Sequence, residues 1–200
     1  AQGALTIVSE LPVIFTDLDG TLLDHDTYSA EEARLVLEKV TAKGIPVIPA
    51  TSKTYSEVVE FRDSMNLTHA FIVENGAALY VPMDTDIRCP MGSKLFEGYW
   101  VREFGVKRQA LCDVLEALDM NGSYHFKSLT DMRTSEVADI TGLDLASAQR
   151  AQHRLYSETL DWRDSEAALT SFSDVLTGIG FSVSQGCLLY TSPSPRDRIR

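Results

Sequence analysis

The stretch "PVIFTDLDGTLLD", residues 12–24, sets an apolar run directly before two carboxylates, Asp17 and Asp19, and Gly20 follows at once. "PVIFT" has the length and composition of a short buried strand. Two like charges this close repel unless a cation sits between or beside them. The pattern therefore asks for a positive partner at a strand end.

The chain around it repeats a rhythm. "TYSAEEARLVLEKVTAKG" (27–44) reads as a helix. Ser29 with Glu32 makes a capping-box pattern, Ala33, Val36, Leu37 and Val40 give one apolar stripe, and Gly44 ends it. "IPVIPA" (45–50) is a second strand. Thr54 with Glu57 repeats the capping box ahead of Val58, Phe61 and Met65. "AFIV" (70–73) is a third strand, ended by "ENGA". Strand and helix alternating at these spacings predict a βαβαβ unit with a parallel sheet. Right-handed crossovers bring the three C-terminal strand ends to one edge, where open α/β sheets bind ligands. Asp17 and Asp19, then Thr51, Ser52 and Lys53, then Glu74 and Asn75 are expected to meet there.

After Pro82 the rhythm changes. The turn-rich "VPMDTDIRCPMGSK" marks a boundary, and residues 84–186 read as an inserted α+β module. "RQALCDVLEALD" predicts a helix with Leu111, Val114, Leu115 and Leu118 inward. "TSEVADITG" is a short helix closed by Gly142, and "LASAQRAQHR" one capped by Asp144. "LYSETLDW" reads as a strand, "SEAALTSFSDVLTGIG" as a helix, and "FSVSQG" as the start of a strand.

Composition narrows the function classes. The chain has 200 residues and a net charge of −11, from 29 acidic against 18 basic residues. That balance argues against nucleic acid as a partner, since polyanions need a basic footprint. No apolar run approaches the ~20 residues of a membrane span. The first ten residues show neither a basic leader nor a long apolar region. The expectation is a soluble cytoplasmic protein without a membrane partner. Cys89, Cys112 and Cys187 form no CxxC pair, which argues against a zinc site and a disulfide framework.

The chemistry at the strand ends points to phosphoryl transfer. A carboxylate attacks phosphorus once the phosphate's charge is neutralised. A second acid nearby protonates the leaving oxygen and then activates water. Mg²⁺ suits such a pair: a hard cation with oxygen ligands, retained waters and a share of the substrate phosphate. Gly20 permits a tight turn with backbone amides facing the phosphate. Thr51 offers a hydroxyl donor and Lys53 a positive charge.

These motifs resemble a known family. "DLDGT" is similar to the first motif of the haloacid dehalogenase-like phosphatases, and "PATSKT" resembles their second. "VENGA" looks like the segment after the third strand in members with a large α+β cap. "TDMRTSEVADITGL" resembles the cap of mannosyl-3-phosphoglycerate phosphatases, with Thr130 where Ser is usual. The resemblance covers nearly all of residues 10–186. It implies a Rossmannoid parallel-sheet core with an inserted cap, and a Mg²⁺-dependent phosphomonoesterase. Its substrate would be small, phosphorylated and glycosylated: mannosyl-3-phosphoglycerate, cleaved to mannosylglycerate and phosphate. It implies Asp17 as the nucleophile that becomes an aspartyl-phosphate, Asp19 as the general acid and base, and Thr51 as the second-motif hydroxyl, with Ser52 the lesser choice. Asp17 by its carboxylate and Asp19 by its backbone carbonyl would ligate the metal. Gly20, Ser52, Lys53 and Asn75 would face phosphate or substrate. Arg133 and Arg154 are candidates for the substrate carboxylate, and Arg150 is better read as a surface ion-pair partner. A related sugar-phosphate phosphatase and a non-catalytic phosphate- or sugar-binding remnant are the alternatives.

The family also uses a later Lys and a pair of acidic residues after the cap. Neither is found before the chain reaches "CLLYTSPSPRDRIR" (187–200). That stretch resembles a translated transposase-type sequencing adapter; the alternative is a genuine basic Ser/Pro-rich tail. The expectation is a core segment over 1–83 that lacks its returning strands, a cap over 84–186, and a foreign, disordered tail over 187–200. The 200-residue polypeptide would then be inactive on its own.

Overall fold

The computed structural model describes residues 12–24, 29–85, 89–120, 122–185 and 190–192, with Gln185 and 190–192 described by backbone alone. β1 (Ile14–Thr16) and β2 (Val47–Pro49) pair in parallel, Ile14 opposite Val47. β2 passes to β3 (Phe71–Val73) through one parallel bridge, Ala50 to Ile72. The crossovers are α1 (Glu31–Thr41) and α2 (Tyr55–Ser64). The expected parallel order therefore holds, and three strand ends share one edge.

The sheet continues beyond β3. β4 (Ala78–Pro82), β5 (Lys94–Phe96) and β6 (Tyr99–Glu103) extend it in antiparallel fashion, in the order β3-β4-β6-β5. This corrects the expected boundary at residue 84, because β5 and β6 belong to the core sheet. Their hairpin turns on Glu97 and Gly98, both at positive φ (47° and 84°). Two such residues match the right-handed twist of the flanking strands, and aromatic Phe96, Tyr99 and Trp100 suit a pleated surface.

Strand alternation splits the apolar residues between two faces. Val47, Phe71, Val73, Tyr80 and Val101 join Leu37 of α1, Val58 and Phe61 of α2 and Met65 just after it in the main cluster. Ile48 and Val81, with Ile72, Leu79 and Trp100 beside them, form a smaller one. α2 starts as expected: the Glu57 N–H donates to Thr54 Oγ1 at 3.2 Å, and the Thr54 N–H to Glu57 Oε2 at 2.9 Å. The Ser29–Glu32 box does not form. α1 starts after Ala30, and Ser29 Oγ accepts from the Glu31 N–H instead. Burial at the start of the chain also departs from expectation. Phe15 is 63% exposed and Val36 61%. Among the described residues β1 is the last strand of its sheet, with only β2 beside it.

The cap comprises α3 (Arg108–Met120), β7 (Phe126–Ser128), α4 (Thr134–Thr141), α5 (Leu145–Gln152), β8 (Glu158–Trp162), α6 (Glu166–Gly178), β9 (Ser184–Gln185) and β10 (Tyr190–Ser192). Its antiparallel sheet runs β7-β8-β10-β9. Leu111 and Leu115 of α3 pack with Leu160, Phe172 and Leu176, and Val114 and Leu118 lie partly buried against them. Gly142 closes α4 at φ 73°, and Asp144 caps α5 through the Ser147 N–H. Residues 190–192 are a strand between β8 and β9, a correction to the disorder expected of the tail. The open edge of β8 supplies the partner, and "YTS" is compatible with strand pairing. Residues 1–11 of the expected core, and 186–189 with 193–200 at the other end, lie outside the described residues. Among the described residues no helix is long and apolar enough to cross a membrane.

Candidate active site

The two aspartates stand where β1 turns. The Leu18 carbonyl accepts the N–H groups of Thr21, Leu22 and Leu23, at 3.2, 3.1 and 2.8 Å. Leu18 itself is fully buried, which anchors the turn between the two carboxylates. Gly20 lies at φ 68°, a conformation that favours glycine. Asp17 is exposed, and its Oδ1 accepts the Leu18 N–H at 2.7 Å.

The positive partner that the sequence asks for is Lys53. Its ammonium lies 2.8 Å from Asp19 Oδ1 and 3.7 Å from Glu57 Oε1. Asp19 Oδ1 is buried and makes no hydrogen bond of good geometry, so the contact with Lys53 is an ion pair alone. Thr51 is buried, and its Oγ1 accepts the Lys53 N–H at 3.3 Å. The end of β3 closes on this loop. The Asn75 N–H donates to the Thr51 carbonyl at 2.9 Å and the Glu74 N–H to the Lys53 carbonyl at 3.0 Å. Glu74 and Asn75 both hold positive φ, 48° and 59°. Non-glycine residues in that region cost on the order of 1–3 kcal/mol each and persist where the surroundings over-determine them. The structure thus brings Asp17, Asp19, Gly20, Thr51, Ser52, Lys53 and Asn75 to one edge.

The cap arginines fare differently. Arg154 turns inward. Its side chain is 6% exposed, its Nε donates to Ser157 Oγ, and an Nη donates to the Ser52 carbonyl, each at 2.8 Å. Arg133 is 81% exposed and pairs with Glu136 of its own helix. Arg150 is an ion-pair partner as expected, reaching from α5 to Glu60 of α2 at 2.5 Å. A cavity of about 320 Å³ lies between core and cap beside Lys53, and Leu23, Arg34, Glu57, Ser147 and Arg150 are among its walls. The sequence reading takes Glu57 only as half of a capping box and misses it as a neighbour of Lys53, although its place four residues after Lys53 on a helix start was the available signal.

A second acidic centre ties the two parts together. Glu103, at the end of β6, accepts from Lys94 at 2.5 Å, from the Tyr156 hydroxyl at 2.6 Å, and from Lys107. Burial pushes its carboxyl upward, but the hydrogen bonds from Lys107, Lys94 and Tyr156 outweigh this and hold it at about 2. The folded value lies below the ordinary one, so this contribution is present above about pH 4.5 and is lost as pH falls towards about 2. Urea unfolding of the chain from pH 6 to 2.5 is expected to show stability falling with acid. In Glu103→Gln that slope should flatten; equal slopes in both proteins would contradict the assignment.

Residues 14–89 match the model of a haloacid dehalogenase-like hydrolase. The chain is 35% identical to the glucosyl-3-phosphoglycerate/mannosyl-3-phosphoglycerate phosphatase of Methanococcoides burtonii over 174 residues, 87% of this chain and 64% of that protein. It is 33% identical to the phosphatase of the same name from Persephonella marina over 181 residues, 89% of this chain and 65% of that protein. Over residues 14–89 the chain is therefore similar to the haloacid dehalogenase-like hydrolases. Its fold agrees with that of a phosphatase of the haloalkanoate (HAD) superfamily from Bacteroides thetaiotaomicron. The TM-score is 0.61 at 17% identity, covering 98% of this chain and 72% of the other. The chain spans slightly under two thirds of the length of the two curated relatives.

Among the described residues, no group of three His, Cys, Asp or Glu side chains is arranged to hold a metal. Two carboxylates still fit a hard cation of the Mg²⁺ kind, which binds through one or two carboxylates and completes its shell with water and substrate phosphate. Asp17 is exposed at the strand end and free to offer its carboxylate, whereas the buried Asp19 Oδ1 faces Lys53, which leaves the Asp19 backbone carbonyl as the second candidate donor. Cys89 and Cys112 are free thiols, and Cys187 lies outside the described residues.

Proposed function

We propose that the protein is a phosphomonoesterase acting on a glycosyl-3-phosphoglycerate, the mannosyl compound first. The observation that carries this is the meeting of Asp17, Asp19, Thr51 and Lys53 at one sheet edge, fixed by the Lys53–Asp19 pair at 2.8 Å. The names of the two relatives support the substrate class. Asp17, the more exposed carboxylate, attacks phosphorus and becomes an aspartyl-phosphate while the bond to the glycerate oxygen breaks. Asp19 gives its proton to that oxygen and then takes one from the water that opens the aspartyl-phosphate. Thr51 and Lys53 bind the phosphoryl oxygens. Asp17 by its carboxylate and Asp19 by its carbonyl would hold Mg²⁺, which supplies charge neutralisation when bound. The glycosyl group takes the cavity between core and cap. Localisation in the cytoplasm belongs to the same reading.

The activity is proposed for the whole protein. Kinetics on the whole protein with mannosyl- and glucosyl-3-phosphoglycerate against simple hexose phosphates test the reading. The glycosylated acids are expected to give the higher kcat/KM. A hexose phosphate with the higher value would remove the substrate class.

A further inference from the structure

We infer that Glu74 is a positioning residue that couples the cap to the loop carrying Thr51 and Lys53. Its role in setting the cap over Asp17 and Asp19 rests on the phosphatase reading. Glu74 is fully buried at the end of β3. Its carboxylate crosses to the cap and accepts four hydrogen bonds from one short segment. Oε1 accepts the Leu155 N–H at 2.8 Å. Oε2 accepts the Tyr156 N–H at 3.0 Å, the Ser157 N–H at 2.8 Å and the Ser157 hydroxyl at 2.6 Å. Arg154 lies 4.0 Å from Oε2, which balances the buried charge. The same arginine donates to the Ser52 carbonyl, within the second strand-end loop.

The backbone of Glu74 completes the link. Its N–H holds the Lys53 carbonyl at 3.0 Å, and its neighbour's N–H holds that of Thr51 at 2.9 Å. One residue therefore grips the phosphate loop with its backbone and the cap with its side chain. Its left-handed φ of 48° is costly for glutamate and is kept by these contacts on both sides. Three backbone amides of the cap segment have this carboxylate as their acceptor. A neutral amide side chain would set an N–H group against them.

Hydrogen exchange on the 200-residue chain tests the coupling whether or not it turns over. In Glu74→Gln the amides of 155–157 are expected to exchange at least about tenfold faster, the loss of one charge-assisted hydrogen bond or more. Amides of β2 and α2 should keep their protection. Glu74→Asp keeps the charge but shortens the reach, and it should show the same local pattern to a smaller degree should Glu74→Gln not fold. In the whole protein, Glu74→Gln should raise KM for mannosyl-3-phosphoglycerate about tenfold while kcat on p-nitrophenyl phosphate stays within about twofold. Unchanged exchange at 155–157, or equal loosening everywhere, would overturn the coupling. Wild-type protein that hydrolyses neither compound would remove the phosphatase reading instead, and the exchange result would still decide the role of Glu74.

Discussion

Asp17→Asn is expected to lower kcat of the whole protein on the order of 10⁴-fold or more, as removal of a nucleophile does elsewhere. Size and shape change little. The Leu18 N–H, 2.7 Å from Oδ1, still finds an acceptor in the asparagine carbonyl. What disappears is the charge that, on the proposed reading, attacks phosphorus and helps hold the metal. Unfolding midpoints should therefore stay close to those of the parent. Thr51→Ala removes one hydroxyl donor among several, and its loss should be milder, on the order of 10²-fold. Steady-state rates on one substrate decide the ranking. Most of the activity retained in Asp17→Asn, or a greater loss in Thr51→Ala, would reverse it.

Phe71→Ala is expected to cost about 3–5 kcal/mol of stability. Phe71 is fully buried, and its ring stacks on Tyr80 at 5.0 Å and meets the edge of Tyr99 at 5.4 Å. The Arg62 guanidinium lies 4.6 Å from the ring centre. Truncation leaves a cavity under β3 and frees a cation held in a 3% exposed site. Phe15→Ala is the matched control. That ring is 63% exposed, so its removal should change stability by no more than about 0.5 kcal/mol. Denaturant titration compares the two, and similar losses would contradict the placement of the core.

The reach of sequence reading follows the range of the forces involved. Val58, Phe61 and Met65 lie inward as their spacing implies, because helical periodicity and the Thr54–Glu57 cap are local. Asp17, Thr51 and Asn75 meet because parallel crossovers leave the ends of consecutive strands little choice of edge. Phe15 reads as core because its composition does, yet its burial depends on what flanks β1, a non-local matter. The Glu97–Gly98 hairpin is written in turn chemistry but stands behind a Pro- and Gly-containing stretch that looks like a boundary. Arg154 shows the limit most sharply. Its side chain folds onto Ser157 and Ser52, 102 residues away in sequence, and no spacing rule anticipates such a partner.

The most direct test of the central claim is to trap the intermediate. The whole protein is mixed with mannosyl-3-phosphoglycerate and Mg²⁺, quenched in acid within a turnover, digested, and read by mass spectrometry. The peptide covering residues 12–24 is expected to carry one phosphoryl group on Asp17, absent in Asp17→Asn. Turnover with Asp17 unmodified, or with the phosphoryl group on another residue, would contradict Asp17 as the nucleophile.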